Sequence, residues 1–174
     1  MKVFALILFA IFLLANSCRT RSETKSSDTG SVVDTETLIR INQQLVKDDI
    51  AKNEAYARNN NWDYSITGNG IIYEILNHSK GLVGKAGDQV EFSYESKLLD
   101  GTFCYSSDSN GLKKFLVDYE EVESGINDMA KLLSEGDSAR IILPPHLAFG
   151  LTGDRNRVPA RSSLIYHLRL LKIH

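Results

Sequence analysis

Three stretches in which apolar and polar residues alternate limit this chain to a domain built on antiparallel strands. They cover residues 90–95, 139–143 and 164–171. Alternation with a period of two is typical of strands that bury one face and expose the other. Between them the pattern predicts one short helix, Gly125 to Leu133, ended by the glycine at position 136. We therefore expect an α+β domain in which the inward rows of the strands wrap this helix.

The N-terminal residues have the composition of an export signal. Lys2 supplies a positive charge, and residues 3–15 form an unbroken apolar run of 13 residues. A helix needs about 20 apolar residues to cross a bilayer, so this run is too short for a membrane span. We interpret residues 1–17 as a signal peptide, with an uncleaved membrane anchor as the alternative.

The position of the first cysteine favours lipid attachment. The segment from Leu14 to Cys18 resembles a bacterial lipobox, although Ala15 and Asn16 depart from the usual pattern. The resemblance implies cleavage before Cys18 and acylation of that residue, so the lipid membrane is an expected partner. Lipidation would leave Cys104 without a disulfide partner. Residues 18–33 are rich in Ser, Thr, Lys and Arg and are expected to form a flexible tether.

A helical segment is predicted over residues 34–61. Leu38, Ile41 and Leu45 form a narrow apolar stripe, and a second helix is predicted to restart at Asp48 and Asp49. We expect the stripe to pack on its own domain. The alternative is pairing with a second copy, which would make residues 34–61 a homodimer or envelope-complex contact. Trp62, where the remaining domain of residues 62–174 begins, is expected to staple the helical segment to that domain.

The composition and residue spacing exclude several classes of function. A formal net charge of -2 gives no basic surface for nucleic acid. The four histidines have no metal-ligand spacing, so neither a metal nor a cofactor is expected. Cys104 is interpreted as a small buried hydrophobic residue. No nucleophile paired with a base is apparent, which argues against hydrolytic chemistry.

Several short motifs occur in a fixed order over residues 87–173. They are Leu99-Asp100-Gly101, Ser124-Gly125-Ile126, Glu135-Gly136-Asp137, Leu147-Ala148-Phe149-Gly150 and Val158-Pro159. In order and spacing they resemble the FK506-binding-protein (FKBP) family of peptidyl-prolyl cis-trans isomerases. The resemblance implies a curved antiparallel sheet wrapped around one short helix. It also implies catalysed rotation about X–Pro bonds in proline-containing polypeptides.

The same resemblance assigns the site residues. Those matching the family's catalytic positions are Tyr94, Phe149 and Tyr166. Those matching its substrate-binding positions are Cys104, Tyr105, Phe115, Val122, Glu123, Ile126 and Val158. Four positions depart from the family pattern. Cys104 replaces a phenylalanine, Tyr105 replaces the pocket aspartate, Lys113 replaces an aromatic residue, and Glu123 replaces an aliphatic one.

Three functional hypotheses follow from these observations. The first is a lipid-anchored isomerase that assists the folding of exported proteins at the periplasmic face of a bacterial membrane. The second is a proline-peptide binding module or chaperone whose catalysis is weak or lost, which Tyr105, Glu123 and Lys113 favour. The third is a structural lipoprotein of an envelope complex, because a lipidated FKBP domain with a helical preface resembles the gliding-motility-associated isomerase lipoproteins.

Overall fold

A computed structural model describes residues 34–174 of the chain. The predictions for residues 1–33, namely the signal peptide, the lipidation of Cys18 and the tether, lie outside the described residues. The elements in chain order are α1 (Thr35–Asn59), β1 (Ser65–Ile66), β2 (Ile72–Asn77), β3 (Gln89–Leu98), β4 (Phe103–Ser106), α2 (Ser107–Asn110), β5 (Lys113–Leu116), α3 (Ser124–Ala130), β6 (Ser138–Leu143), a 3-10 turn (Pro145–Leu147) and β7 (Leu164–Ile173).

The seven strands form one sheet in the order β1-β2-β6-β7-β3-β4, with β5 paired to β3. All pairs are antiparallel. The longest pairing joins β3 to β7, from Val90 opposite Ile173 to Leu98 opposite Leu164. The predicted α+β class, an antiparallel sheet with one short helix against it, is confirmed.

The inner face of the sheet packs on α3 and forms the main core. Phe92, Ile126, Met129 and Leu170 are fully buried there. Burial of each such side chain contributes about 1.5–3 kcal/mol, so this alternating row is a main source of stability. Gly125 permits the close approach of α3, since a Cβ added to it would lie 2.4 Å from a Leu143 methyl carbon.

The outer face of the sheet carries a second core under α1. Ile72, Ile142 and Ile165 stand side by side in register on β2, β6 and β7, and each is at most 3% exposed. Ala57 of α1 and Trp62 pack in the same cluster. The expected role of Trp62 as a staple is therefore confirmed, and Ile165, on the outward side of its strand, is buried by the helix.

The N-terminal helix differs from its prediction in two ways. It is one continuous helix over Thr35–Asn59, and the predicted restart near Asp48 is wrong. Leu38 and Ile41 are about half exposed, so the expectation that the stripe packs on its own domain is wrong for these two residues. The helix is held instead by its C-terminal half, where Asp49 forms an ion pair with Arg161 at 3.1 Å.

The central helix is shorter than predicted. It ends at Ala130 rather than Leu133 because the next turn tightens, with the N–H of Leu132 bonding to the Met129 carbonyl at 3.1 Å. Asp137 then receives the N–H of Ser134 at 2.9 Å, which turns the chain toward β6. Among the described residues, no helix combines the length and apolar character needed to cross a membrane.

Candidate active site

The structure brings all ten predicted site residues together at the inner face of the sheet. Five belong to the buried core, namely Cys104, Phe115, Ile126, Val158 and Tyr166. Four are partly buried and pack against it, namely Tyr94, Tyr105, Val122 and Phe149. The tenth, Glu123, reaches the cluster through a hydrogen bond to Tyr166. Residues about 70 positions apart in the chain, such as Tyr94 and Tyr166, thus converge because β3 and β7 are neighbours in the sheet.

Two tyrosines on these neighbouring strands form the centre of the cluster. Their register places Tyr94 opposite Leu168 and Tyr166 opposite Ser96, so the two rings face the same side, two positions apart. The ring centroids of Tyr94 and Tyr166 are 6.1 Å apart with an interplanar angle of 47°. Aromatic pairs at this separation contribute about 0.5–1.5 kcal/mol beyond the burial of their area.

A charged pair lies against these rings. The Glu123 carboxylate accepts a hydrogen bond from the Tyr166 hydroxyl at 2.7 Å and from Lys113 Nζ at 3.0 and 2.7 Å. Lys113 Nζ also lies 5.1 Å from the centroid of the Tyr94 ring. The Glu123 side chain is only 7% exposed, whereas that of Lys113 is 20% exposed. Two positions that are apolar in the family pattern therefore form a mostly buried ion pair in the wall of the cluster.

Both tyrosine hydroxyls retain their protons at neutral pH. Burial, followed by the charge of Glu123, raises the pKa of Tyr166 far above its ordinary value. Burial and the same carboxylate also raise the pKa of Tyr94. Since the phenolate forms are disfavoured, both groups keep a proton to donate. That of Tyr166 is donated to Glu123.

The loop between β6 and β7 forms the opposite wall and carries Phe149 and Val158. Asp154 organises this loop by accepting the N–H of Asn156 at 2.9 Å and of Val158 at 2.8 Å. The hydroxyl of Tyr105 donates to Asp154 from β4. The residue that replaces the family's pocket aspartate therefore reaches a carboxylate on the other side of the site and fastens β4 to the loop.

The pKa values of this contact follow from its hydrogen bonds. The hydrogen bond to Asp154, together with burial, raises the pKa of Tyr105. Burial raises the pKa of Asp154, but the hydrogen bonds from Tyr105 and from backbone N–H groups outweigh it and leave that pKa lowered. The carboxylate is therefore ionised, and the phenol is the donor of the bond that joins them.

Arg157 and Cys104 complete this wall. The Arg157 guanidinium donates to the Cys104 carbonyl at 2.7 Å, and its Cζ lies 5.5 Å from the Tyr105 ring centroid. Cys104 is fully buried, and burial followed by the charge of Asp154 raises the pKa of its thiol. The interpretation of Cys104 as a small buried residue is confirmed.

Three residues of the site were absent from the sequence-based assignment. Lys113 stood out only as a departure from the family pattern, and its pairing with Glu123 was not predicted. Asp154 and Arg157 had no recognisable signal, because a charged residue in a loop is usually solvated. Their contacts depend on how the loop folds back over β4.

The site is suited to binding rather than to covalent chemistry. It offers aromatic and aliphatic walls, two neutral phenols and a satisfied ion pair. Within residues 34–174 no group of three or more His, Cys, Asp or Glu side chains is placed to hold a metal ion. Such an arrangement offers apolar side chains to a planar or twisted group, and the Tyr94 hydroxyl can donate a hydrogen bond to a nearby carbonyl.

Comparison with known proteins agrees with this geometry. A probable FKBP-type peptidyl-prolyl cis-trans isomerase FkpA from Neisseria meningitidis is 29% identical over 124 residues, 70% of this chain and 45% of the relative. The FkpA isomerase of Escherichia coli K12 is 27% identical over 104 residues, 60% of this chain and 38% of the relative. The macrophage infectivity potentiator of Trypanosoma cruzi is 31% identical over 105 residues, 60% of this chain and 53% of the relative.

The chain thus spans about half or less of the length of these relatives. The family model described as FKBP-type peptidyl-prolyl cis-trans isomerase matches residues 83–171, about half of the chain. That span contains all ten predicted site residues. The chain belongs to the FKBP-type peptidyl-prolyl cis-trans isomerase family.

Proposed function

We propose that this protein is a peptidyl-prolyl cis-trans isomerase that acts on proline-containing polypeptides. The observation that carries the proposal is the convergence of Tyr94, Phe149 and Tyr166 with the aliphatic walls around α3. These residues come from β3, β7 and the loop between β6 and β7, and they meet within the span that matches the family.

The proposed chemistry requires no nucleophile. Resonance opposes rotation about the peptide bond with a barrier of about 18–20 kcal/mol, and uncatalysed X–Pro rotation takes tens to hundreds of seconds. An enzyme accelerates rotation by binding the twisted imide better than either planar form. Apolar side chains favour the less polar twisted carbonyl, and the protonated Tyr94 hydroxyl can orient it. Each tenfold acceleration requires about 1.36 kcal/mol of such preference.

A refolding assay tests this proposal. The full chain is added to a substrate protein whose slow refolding phase is limited by proline isomerisation, and the Phe149→Ala variant is compared. We expect the wild-type chain to accelerate the slow phase and the variant to lose most of that effect. A well-folded wild-type chain that leaves the slow phase unchanged would refute the isomerase assignment.

A second candidate function is a proline-peptide binding module with weak catalysis. The observation that favours it is the ion pair of Lys113 and Glu123, which puts charge into a wall that is apolar in the family pattern. Under this alternative the chain binds proline peptides, as measured by fluorescence anisotropy, without accelerating their isomerisation.

We further propose that the chain acts in the cell envelope on exported proteins, anchored through lipid on Cys18 at the periplasmic face of a bacterial membrane. The lipobox-like segment supports this location, as does the resemblance to the gliding-motility-associated isomerase lipoproteins. A role in a gliding-motility complex rests on the same resemblance. Labelled palmitate should be incorporated by cells that produce the chain and not by cells that produce Cys18→Ala. Equal labelling of the two would refute lipidation at this residue.

The first half of α1 is a proposed contact for a second copy or for an envelope complex. Leu38, Ile39 and Ile41 are 47–51% exposed there and lie within about one turn of the helix. Sedimentation of the full chain and of an Ile39→Lys, Ile41→Lys variant tests this proposal. A wild-type dimer and a monomeric variant would support a contact with a second copy. A monomeric wild-type chain would refute that contact and leave the envelope complex as the proposed partner.

A further inference from the structure

The charged groups of the site differ in their access to a bound peptide. The Glu123 carboxylate is turned inward, is 7% exposed, and receives three hydrogen bonds from Lys113 and Tyr166. Asp154 is likewise occupied by the Tyr105 hydroxyl and two backbone N–H groups. The Glu123 carboxylate is therefore saturated with donors and turned inward, and the Asp154 carboxylate already accepts three hydrogen bonds.

The cations are the more accessible partners. Lys113 is about three times as exposed as Glu123, at 20% against 7%. An ammonium has three N–H donors, and the two Glu123 oxygens account for two of the directions in which it can donate. The Tyr94 ring centroid lies 5.1 Å from Nζ, so the ammonium also borders the aromatic side chains of the site.

A second cation lies beside the opposite wall. Arg157 is exposed, and its recorded contacts are the Cys104 carbonyl and the Tyr105 ring, neither of which carries a negative charge. It directly precedes Val158, one of the predicted substrate-binding residues. A partly or fully exposed cation therefore lies on each side of the site, although the whole chain has a net charge of -2.

We propose that Lys113 and Arg157 are specificity-determining residues that favour peptides with an acidic residue beside the proline. The inference rests on the proposed function, because it describes which X–Pro segments the same site accepts. A glutamate or aspartate side chain next to the bound proline ring would meet the Lys113 ammonium, or the Arg157 guanidinium, without displacing Glu123 from its three donors.

Matched peptides test this proposal. Two peptides that differ only in Glu-Pro against Gln-Pro have nearly the same size, so their ratio of kcat/KM isolates the charge. For the full chain at low salt we expect this ratio to be about three- to fivefold in favour of Glu-Pro, the range of a partly exposed ion pair. The preference should shrink as the salt concentration rises, because salt screens exposed charges.

Variants assign the preference to its residues. The double variant Lys113→Met, Glu123→Leu removes both charges together, so that no buried carboxylate is left unpaired, and it should lower the ratio toward one. Arg157→Gln should lower the ratio partly. Lys114→Gln is the matched control, since Lys114 is the next residue on β5 but is exposed and paired with Glu91 at 3.0 Å outside the site. Its ratio should equal that of the wild type.

The outcomes separate this inference from the proposed function. Turnover of both peptides with a ratio of one or less would overturn the inference and leave the isomerase assignment standing. If neither peptide is turned over, the isomerase assignment fails and the inference is decided by the binding of fluorescent versions of the two peptides. A tighter Kd for the Glu-Pro peptide would then support it, and equal Kd values or no binding would overturn it.

Discussion

Replacement of Lys113 by methionine should destabilise the protein because it leaves the Glu123 carboxylate without its partner. Methionine keeps most of the volume of the lysine stem but removes two of the three hydrogen bonds that the Glu123 carboxylate receives. The carboxylate is 7% exposed and would keep only the Tyr166 hydroxyl as a donor. The perturbation is therefore an anion left largely buried and underpaired.

The magnitude follows from that burial. Removal of one partner of a buried ion pair costs about 3–5 kcal/mol, and the remaining hydrogen bond and partial exposure of the pair bring the expected loss to about 2–4 kcal/mol. In the double variant Lys113→Met, Glu123→Leu no charge remains, and only the hydroxyl of Tyr166, a residue 1% exposed, lacks its acceptor. That orphaned group costs about 1–3 kcal/mol. Addition of Tyr166→Phe should recover most of this loss.

Urea unfolding at pH 7, monitored by the fluorescence of Trp62, measures the free energy of unfolding of each variant. We expect the double variant to be more stable than the sum of its single variants implies, with a coupling energy of about 2–3 kcal/mol. If the changes in unfolding free energy of the two single variants add up to that of the double variant within about 0.5 kcal/mol, the two side chains do not depend on each other. Lys114→Gln should change the stability by less than about 0.5 kcal/mol.

Three further perturbations test other parts of the fold. Trp62→Ala should lower the free energy of unfolding by about 3–5 kcal/mol, as judged by denaturant titration, because it empties the cluster under α1; a change below 1 kcal/mol would contradict that packing. Gly125→Ala should lower the thermal midpoint, because its Cβ would lie 2.4 Å from a Leu143 methyl carbon and 3.1 Å from the Leu147 carbonyl; an unchanged midpoint would mean that α3 can shift freely. The lowered pKa of Asp154 stabilises the fold above about pH 4, and this stabilisation is lost as the pH falls through the folded-state pKa. Between pH 7 and pH 3, Asp154→Asn should therefore lose less stability than the wild type in urea titrations, and equal losses would argue against the sign of the shift.

The strands of the inner face were predictable because their inward side chains all pack in the same core, around α3. Phe92 and Ile126 are both fully buried where the sheet wraps the helix. The alternation along β3 and the apolar positions of α3 are enough to predict this burial. The outer face was different. Ile165 lies on the side that alternation assigns to solvent, and its burial depends on a helix from more than 100 residues earlier in the chain.

The sequence predicts which residues form the candidate site, but it does not predict the hydrogen bonds and ion pairs between them. Family positions identified Tyr105 and Glu123, but a side chain's partner is decided by the folded path of loops. Tyr105 meets Asp154 only because the loop between β6 and β7 folds over β4. Glu123 meets Lys113 across the connection between β5 and α3, and nothing in a separation of ten residues indicates such a pair.

The second core under α1 sets a limit on how the protein can be divided. The segment 83–171 that matches the family leaves out α1 and β2, which pairs with β6. A fragment cut at those limits would uncover Ile142 and Ile165 and leave the backbone of β6 unpaired along its outer edge. An open edge beside an apolar surface is a template for intermolecular strand pairing, so such a fragment should aggregate. Fragments that keep residues 35–174 retain the compact unit and should remain dispersed in solution.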